Sequence, residues 1–421
     1  MTENSKKVQL LSFSDKSGGA AIAALKYYIA LADKFDVEML VAQKKTNIDR
    51  VIGPTRKQYW FHFGLRILSF FATKIFCTKG DTKRSANLFS SSSVTSRINC
   101  NGDVLHIHWI NNDTVSLSKL KKLFDSNIKT KILTLHDDWF YCASEHYSLD
   151  RDDFINGYVF LKNRMFSLDR YIYDCKLKFK PYVDSGEVVF TAPSFWMRDR
   201  ARTSYLLRNG RVEYLPNIID TNLFKPAESN IETRNELNIP NDSILLCFGA
   251  VGGTTNYIKG YDLLEQALLA LNNRLSSNEK SKIRLLIFGG NSVGAAKEFG
   301  FKAIYTGHIG DPSELARLYS ASDLVIVPSR IESFGQVAAE SLACETPVVC
   351  FDNSAVAEIV DDGVSGFTAK AFDSLDLANK ILDYIRLDSH RKTEFGRKGR
   401  IKMIDNYSSA AVCRLLEKLY V

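Results

Sequence analysis

Little in these 421 residues points to a bound metal, a disulfide framework or a membrane span. The eight cysteines, at 77, 100, 142, 175, 247, 344, 350 and 413, are scattered, and no two form a C-x-x-C pair. That sets aside zinc-ribbon and dithiol redox motifs, and isolated thiols in a chain this long suit a reducing compartment. No G-x-G-x-x-G fingerprint occurs, so a NAD reading is poor. The N-terminal MTENSKKVQLLSFS holds only a short apolar run that enters a glycine turn, which is not a secretory leader, so a cytoplasmic protein is expected. No low-complexity tract or short repeat is present. The basic residues follow no recognised nucleic-acid-binding motif, so no nucleic-acid partner is expected.

What is present suits a globular enzyme: 45% hydrophobic and 11% aromatic residues. The length exceeds what one hydrophobic core supports and predicts two domains. Charge is uneven. Residues 1–215 carry 33 Lys and Arg against 22 Asp and Glu, and the remainder 22 against 26. A basic first half favours an anionic partner, such as a membrane surface or a phosphorylated substrate, or serves solubility alone.

The chain reads as strand, turn, helix, repeated. KVQLLSFS, VEMLVA, DVLHIHW, KILTLH and EVVFTA are short, β-branched apolar runs of the kind buried in parallel sheets. After a proline-bearing connection, LPNIIDTNLFKPAES, the rhythm restarts with SILLCFG, IRLLIFG, AIYTG, LVIVPS and PVVCF. The prediction is an α/β protein of two Rossmann-like domains with strand ends facing a shared cleft. The expected divisions are an N-terminal acceptor-binding domain over 1–214, a donor-binding domain over 215–400, and a C-terminal helix over 401–421 packing back on the first domain.

Between two of those strands lies SRIESFGQVAAESLACETPVV, Ser329–Val349, with Glu332 and Glu340 around a short Ala-rich helix. Ser333 is a candidate cap for a helix starting near Gly335. The exposed N–H groups of such a start favour an anion. Gln336, Ala339, Glu340 and Ala343 share a face, so Glu340 has little polar company and needs donors, which ligand hydroxyls could supply. The alternative is that both glutamates are solvated or paired with Arg or Lys.

The run from IYTGHIGD through ASDLVIVPSRIESFGQVAAESLACETPVVCFDNSAVAEIVDDGVSGFTAK resembles the C-terminal domain of the retaining glycosyltransferase family 4, two-domain GT-B enzymes. The family's E-x7-E signature matches Glu332 and Glu340, and LPNIIDTNLFKP resembles its interdomain segment. The resemblance implies that Glu332 contacts donor-sugar hydroxyls, with backbone N–H groups near Ser333, Phe334 and Gly335, and that Glu340 binds the ribose of the nucleotide. In FGAVGGTTNYIKGYDLL, Lys259 matches a family lysine on the diphosphate. The family's arginine position is occupied by Ala250, and Glu345 stands where the family has Gly. Gly18 and Gly19, in SDKSGGAAIAAL, match a glycine-rich loop facing the donor. His136 matches a histidine close to the donor sugar, within the H-D-x-W form His136, Asp137, Trp139. His108, Trp109 and Asn111 at the neighbouring strand end are candidate acceptor contacts, with core packing as the alternative.

The resemblance thus implies transfer of a sugar from a nucleotide diphospho-sugar, a UDP-sugar before a GDP-sugar, to a hydroxyl of a lipid-linked or polysaccharide acceptor in bacterial surface-glycan assembly. Anomeric configuration is kept. His136, Lys259 and Glu332 carry the chemistry, and no metal or other cofactor is required. A sugar-nucleotide epimerase or a non-catalytic sugar-nucleotide-binding subunit is the alternative on the same fold. The only D-x-D, Asp150–Asp152, lacks a preceding strand. Finally, residues 56–84 interleave aromatic and aliphatic residues with Arg56, Lys57, Arg66, Lys79, Lys83 and Arg84. They read either as an interfacial helix on anionic lipid or as a core helix.

Overall fold

The computed structural model describes residues 6–78, 80, 82–149, 151–160, 167–249, 256–289 and 300–420. Its contacts divide the chain into one unit of Met1–Ile218 with Cys413–Val421, and a second of Ile219–Val412. The first division thus falls four residues after position 214. The C-terminal helix Ser409–Tyr420 spans the second, and residues 401–412 stay with the second unit.

The first unit is a parallel seven-stranded sheet: β1 (Lys7–Ser14), β2 (Asp36–Gln43), β3 (Val51–Ile52), β4 (Val104–Ile107), β5 (Thr130–Thr134), β6 (Val188–Ala192) and β7 (Val212–Tyr214). Its order is β3-β2-β1-β4-β5-β6-β7. From β1 the chain winds to one edge through β2 and β3, then returns to lay β4 on the other side of β1. Such a reversal opens a crevice beyond the carboxyl ends of the two central strands, where doubly wound folds bind ligands. Here those ends are Ser14 and Ile107.

The second unit repeats the plan with β8 (Ile244–Gly249), β9 (Ile283–Phe288), β10 (Lys302–Gly307), β11 (Leu324–Val327), β12 (Val348–Phe351) and β13 (Gly366–Ala369), ordered β10-β9-β8-β11-β12-β13. Its reversal lies between β8 and β11. The strands read as apolar runs because both faces are covered: one cluster holds Leu245, Val325 and Val348, the other Leu246, Ile326 and Val349.

Two helices of the first unit depart from ordinary patterning. The C-terminal Tyr420 is fully buried, with its hydroxyl 2.7 Å from His106 Nδ1 under the sheet. The other is α2 (Arg56–Phe76), started by a Thr55–Gln58 capping box. Its inward face is polar. His62 Nε2 lies 2.8 Å from Asp113 O, and buried Ser69 bonds the Asp113 carboxyl. Its outward face is apolar: Trp60, Phe61, Leu68 and Phe76 are each more than half exposed. A soluble helix normally points its apolar stripe inward, so α2 is inverted and is not a core element. No helix among the described residues is long and apolar enough to cross a membrane. One of the segment's cations also differs from a surface role. Arg84 pairs inside the unit with Asp169 at 3.3 Å and Glu145 at 3.6 Å, and Lys79 lies outside the described residues.

Candidate functional site

In the second unit the switch point is assembled around one glycine. Gly260 sits at φ 63° as the cap of helix Tyr261–Arg274, and a Cβ there would fall 2.0 Å from Pro328 O. Only glycine permits that approach, and it presses the turn Tyr257–Lys259 onto the segment leaving β11. Arg330 N donates to Ile258 O at 2.8 Å, and the Arg330 guanidinium grips Asp262 at 2.7 and 2.6 Å while covering the Tyr257 ring. The Arg330 hydrogen bonds hold the Asp262 carboxyl below the usual carboxylate range. On this frame Lys259 Nζ lies 2.6 Å from Glu332 Oε1, and Ser329 Oγ donates to the same oxygen at 2.9 Å. The structure therefore brings Lys259 and Glu332 together, with both partly exposed.

Helix Gln336–Ala343 follows. Its cap is Gly335 at φ 97°, with no side-chain cap, so Ser333 does not cap it. A Cβ on Gly335 would come within 3.0 Å of Val356, which makes glycine the fitting residue in both angle and space. Phe334 is buried, with its ring against Tyr407. Glu340 is 7% exposed and accepts from Gln336 Nε2 at 2.6 Å. It thus has a polar neighbour one turn away that the sequence reading did not assign. Glu345 holds a left-handed φ of 61°, the conformation that favours the family's glycine. Ala250 lies outside the described residues, as does Asp150 of the D-x-D.

In the first unit Gly18 (φ 93°) caps α1 (Gly19–Leu31) beyond β1, and a Cβ on Gly18 or Gly19 would meet nothing within 4 Å. The loop is open towards solvent, with its start tied by Ser14 Oγ accepting from Lys16 N and Ser17 N at 3.3 Å. At the ends of β4 and β5 three imidazoles form a row. His106 stacks on His108 at 4.3 Å, and His108 Nδ1 and His136 Nε2 share a proton at 3.0 Å. Burial pushes His106 down to about 3 and His136 to about 4, and holds His108 well below its ordinary value. All three are neutral at physiological pH. His108 Nε2 and Asn111 Oδ1 are buried without a hydrogen-bond partner among the described residues, and both residues line a cavity of about 20 Å³. That is room for about one water.

Asp137 accepts from Trp109 Nε1 at 2.8 Å and from Trp139 N at 3.1 Å, and lies 2.6 Å from His146 Nδ1. Burial alone would raise its carboxyl, but His146 and these bonds hold it low. His146 Nε2 in turn meets Ser85 Oγ at 2.8 Å. Of the acceptor candidates, His108, Asn111 and Trp139 are buried packing residues, and Trp139 Nε1 is tied to Ser85 O. Trp109 and Asp137 alone among them reach the surface in part. Sequence reasoning missed His146, and also Lys176, whose fully buried ammonium binds the carbonyls of Trp139, Cys142 and Ala143 behind this loop. Burial lowers it to about 7. Neither carries a sequence signal, because each acts through partners distant in the chain. Among the described residues no group of three or more His, Cys, Asp or Glu is placed to hold a metal.

The family pattern described as Glycosyl transferases group 1 matches residues 243–386, the stretch that carries Lys259, Glu332 and Glu340. Residues 243–386 are a glycosyl transferases group 1 domain. Individual relatives are also similar to this chain. The D-inositol 3-phosphate glycosyltransferases of Stackebrandtia nassauensis and Xylanimonas cellulosilytica are 32% and 33% identical over 198 and 205 residues, covering 43% and 45% of this chain. The chain spans under half of those relatives' length, 42% and 46%. Solved structures cover both units. Sucrose-phosphate synthase from Thermosynechococcus elongatus superposes with a TM-score of 0.65 at 19% identity, over 99% of this chain and 98% of its own. Anabaena Alr3699/HepE in complex with UDP-glucose gives 0.62 at 17% identity, over 98% of each chain. The two sheets are those of the GT-B fold.

Proposed function

We propose that the chain is a retaining glycosyltransferase that moves a sugar from a nucleotide diphospho-sugar, a UDP-sugar before a GDP-sugar, to a hydroxyl of a lipid-linked or polysaccharide acceptor. The observation that carries this is the Lys259–Glu332 pair at the β8/β11 switch, inside the glycosyltransferase domain. In the free protein the ammonium and carboxylate hold each other. A donor diphosphate offers Lys259 a stronger anionic partner, which releases Glu332 to accept from the sugar hydroxyls. Glu340 then receives the ribose hydroxyls, and the amides at the Gly335 helix start face the diphosphate.

The bond from the anomeric carbon to the β-phosphate oxygen breaks as the acceptor oxygen bonds the same carbon on the same face. The acceptor's proton passes to the departing β-phosphate, and Lys259 neutralises the charge that develops there. No metal takes part in this scheme. His136 is neutral through burial, so any part it takes in transfer is that of an uncharged imidazole. The UDP-glucose seen with the Anabaena neighbour supports uridine as the base.

The outward apolar face of α2, with Arg56, Lys57 and Lys74 and no acidic residue, supports work at an anionic membrane surface on the cytoplasmic side, within bacterial surface-glycan assembly. The test is transfer from a panel of UDP- and GDP-sugars in excess EDTA, with the donor's anomeric carbon followed by NMR. Transfer with retained configuration supports the scheme. Loss in EDTA overturns the metal-free step, and donor interconversion without an acceptor marks an epimerase instead.

A further inference from the structure

The inner edge of the inverted helix α2 borders a void of about 1160 Å³. That is somewhat larger than pockets for drug-sized ligands, roughly 300–1,000 Å³. Its walls are Phe63, Ile67, Phe70 and Phe71 of α2 on one side and the segment 82–86 on the other. Of the four cations that line it, Arg84 is ion-paired within the unit and Lys74 lies by the Phe70 ring, which leaves Arg66 and Lys83. They repel one another, and among the described residues neither has an ion-pair partner within 4.0 Å. Arg66 lies over the Phe13 ring at 4.8 Å, and Lys83 over the Trp109 ring at 4.4 Å with a bond to Asn112 Oδ1 at 3.0 Å. Phe13 is in β1 and Trp109 follows β4, so both cations stand where this sheet reverses. Asp113 and Asp137 are felt by Arg66 and Lys83 respectively but do not neutralise them by contact.

An apolar trough with two unpaired cations at its switch-point end is complementary to one chemistry: a hydrocarbon chain that ends in a phosphate. We propose that this groove holds the lipid chain of the acceptor, with its phosphate on Arg66 and Lys83, so that the hydroxyl that receives the sugar belongs to a saccharide carried on a lipid phosphate or diphosphate. This rests on the transferase reading and names its acceptor class. The outward residues of α2, such as Phe61, which do not line the groove, remain for the membrane surface.

The experiment is calorimetric titration of the full chain with farnesyl phosphate below its micellar concentration, beside farnesol and inorganic phosphate. Farnesyl phosphate is expected to bind at least about tenfold more tightly than either, and Lys83→Gln and Arg66→Gln each to weaken it about tenfold, or roughly 1.4 kcal/mol. Lys83 is exposed, so its variant retains the fold even where Arg66→Gln does not. Phe61→Ser is expected to leave this affinity unchanged while weakening sedimentation with anionic vesicles. The proposal is overturned if farnesyl phosphate binds no better than farnesol, if Lys83→Gln changes nothing, or if Phe61→Ser matches it. A parallel titration with UDP-glucose separates the two readings. Lipid phosphate binding without donor binding sinks the transferase and spares the groove, and transfer to a soluble saccharide without farnesyl phosphate binding does the reverse.

Discussion

The Lys259 ammonium lies 2.6 Å from Glu332 Oε1, joining the turn after β8 to the segment after β11. The side chains are 33% and 19% exposed, so the pair stabilises the fold by no more than about 1 kcal/mol. On the proposed reading the pair poises both groups for a ligand. Lys259→Ala and Glu332→Gln are each expected to lower kcat by roughly 10²–10³ with a nearly unchanged melting temperature. Steady-state kinetics and thermal denaturation on the same preparations check this.

Glu340 is placed differently, buried in a helix with Gln336 as its neighbour. A carboxylate that accepts from ribose hydroxyls contributes equally to ground and transition states. Glu340→Ala is therefore expected to weaken UDP binding by roughly 1.5–3 kcal/mol, raising KM more than it lowers kcat. Titration with UDP alone measures it.

Gly260→Ala would drive a Cβ into the Pro328 carbonyl at a left-handed backbone angle. The expected loss is about 2–4 kcal/mol in urea denaturation, larger than for most single substitutions. Gly18→Ala meets no neighbouring atom, so it is expected to show only the cost of its backbone angle, about 1–3 kcal/mol.

Glu345→Gly is the converse. The left-handed angle of Glu345, φ 61°, closes helix Gln336–Ala343 before β12. Glycine carries no Cβ penalty there, and a gain of about 1 kcal/mol is expected in the same denaturation assay.

The imidazole row makes stability depend on pH. His106 and His136 are lowered from 6.5 to about 3 and about 4 by burial, so the unfolded chain takes up protons before the folded one does. Stability is full above pH 6.5 and falls as pH drops from there towards 4, by at most about 1.4 kcal/mol per pH unit for each histidine. Denaturation midpoints at pH 7.5 and 5 test this, and His136→Gln is expected to flatten the slope.

The strands were legible because a parallel sheet buried on both faces writes itself as short apolar runs. LVIVP and PVVCF became the paired β11 and β12, with Val325 opposite Val348. β3, β7 and β13 were not read, since Val51–Ile52, Val212–Tyr214 and Gly366–Ala369 are too short or mixed to stand out. Glu332, Glu340 and Lys259 were legible as motif residues, but their partners were not. The Lys259–Glu332 pair spans 73 positions, and His146 meets Ser85 across 61. The helix cap went to Gly335 and not to Ser333 because a left-handed glycine fits against Val356. In α2 the apolar spacing was plain, but which face it turned outward was settled only by His62 and Ser69 bonding inward to Asp113.

The most direct test of the donor site is calorimetric titration of UDP-glucose and other nucleotide sugars into the wild-type chain and into Lys259→Ala and Glu340→Ala. The account predicts saturable binding of at least one nucleotide sugar, weakened about tenfold or more by each substitution. Binding that is untouched by both substitutions, or no binding by any nucleotide sugar at millimolar concentration, would contradict it.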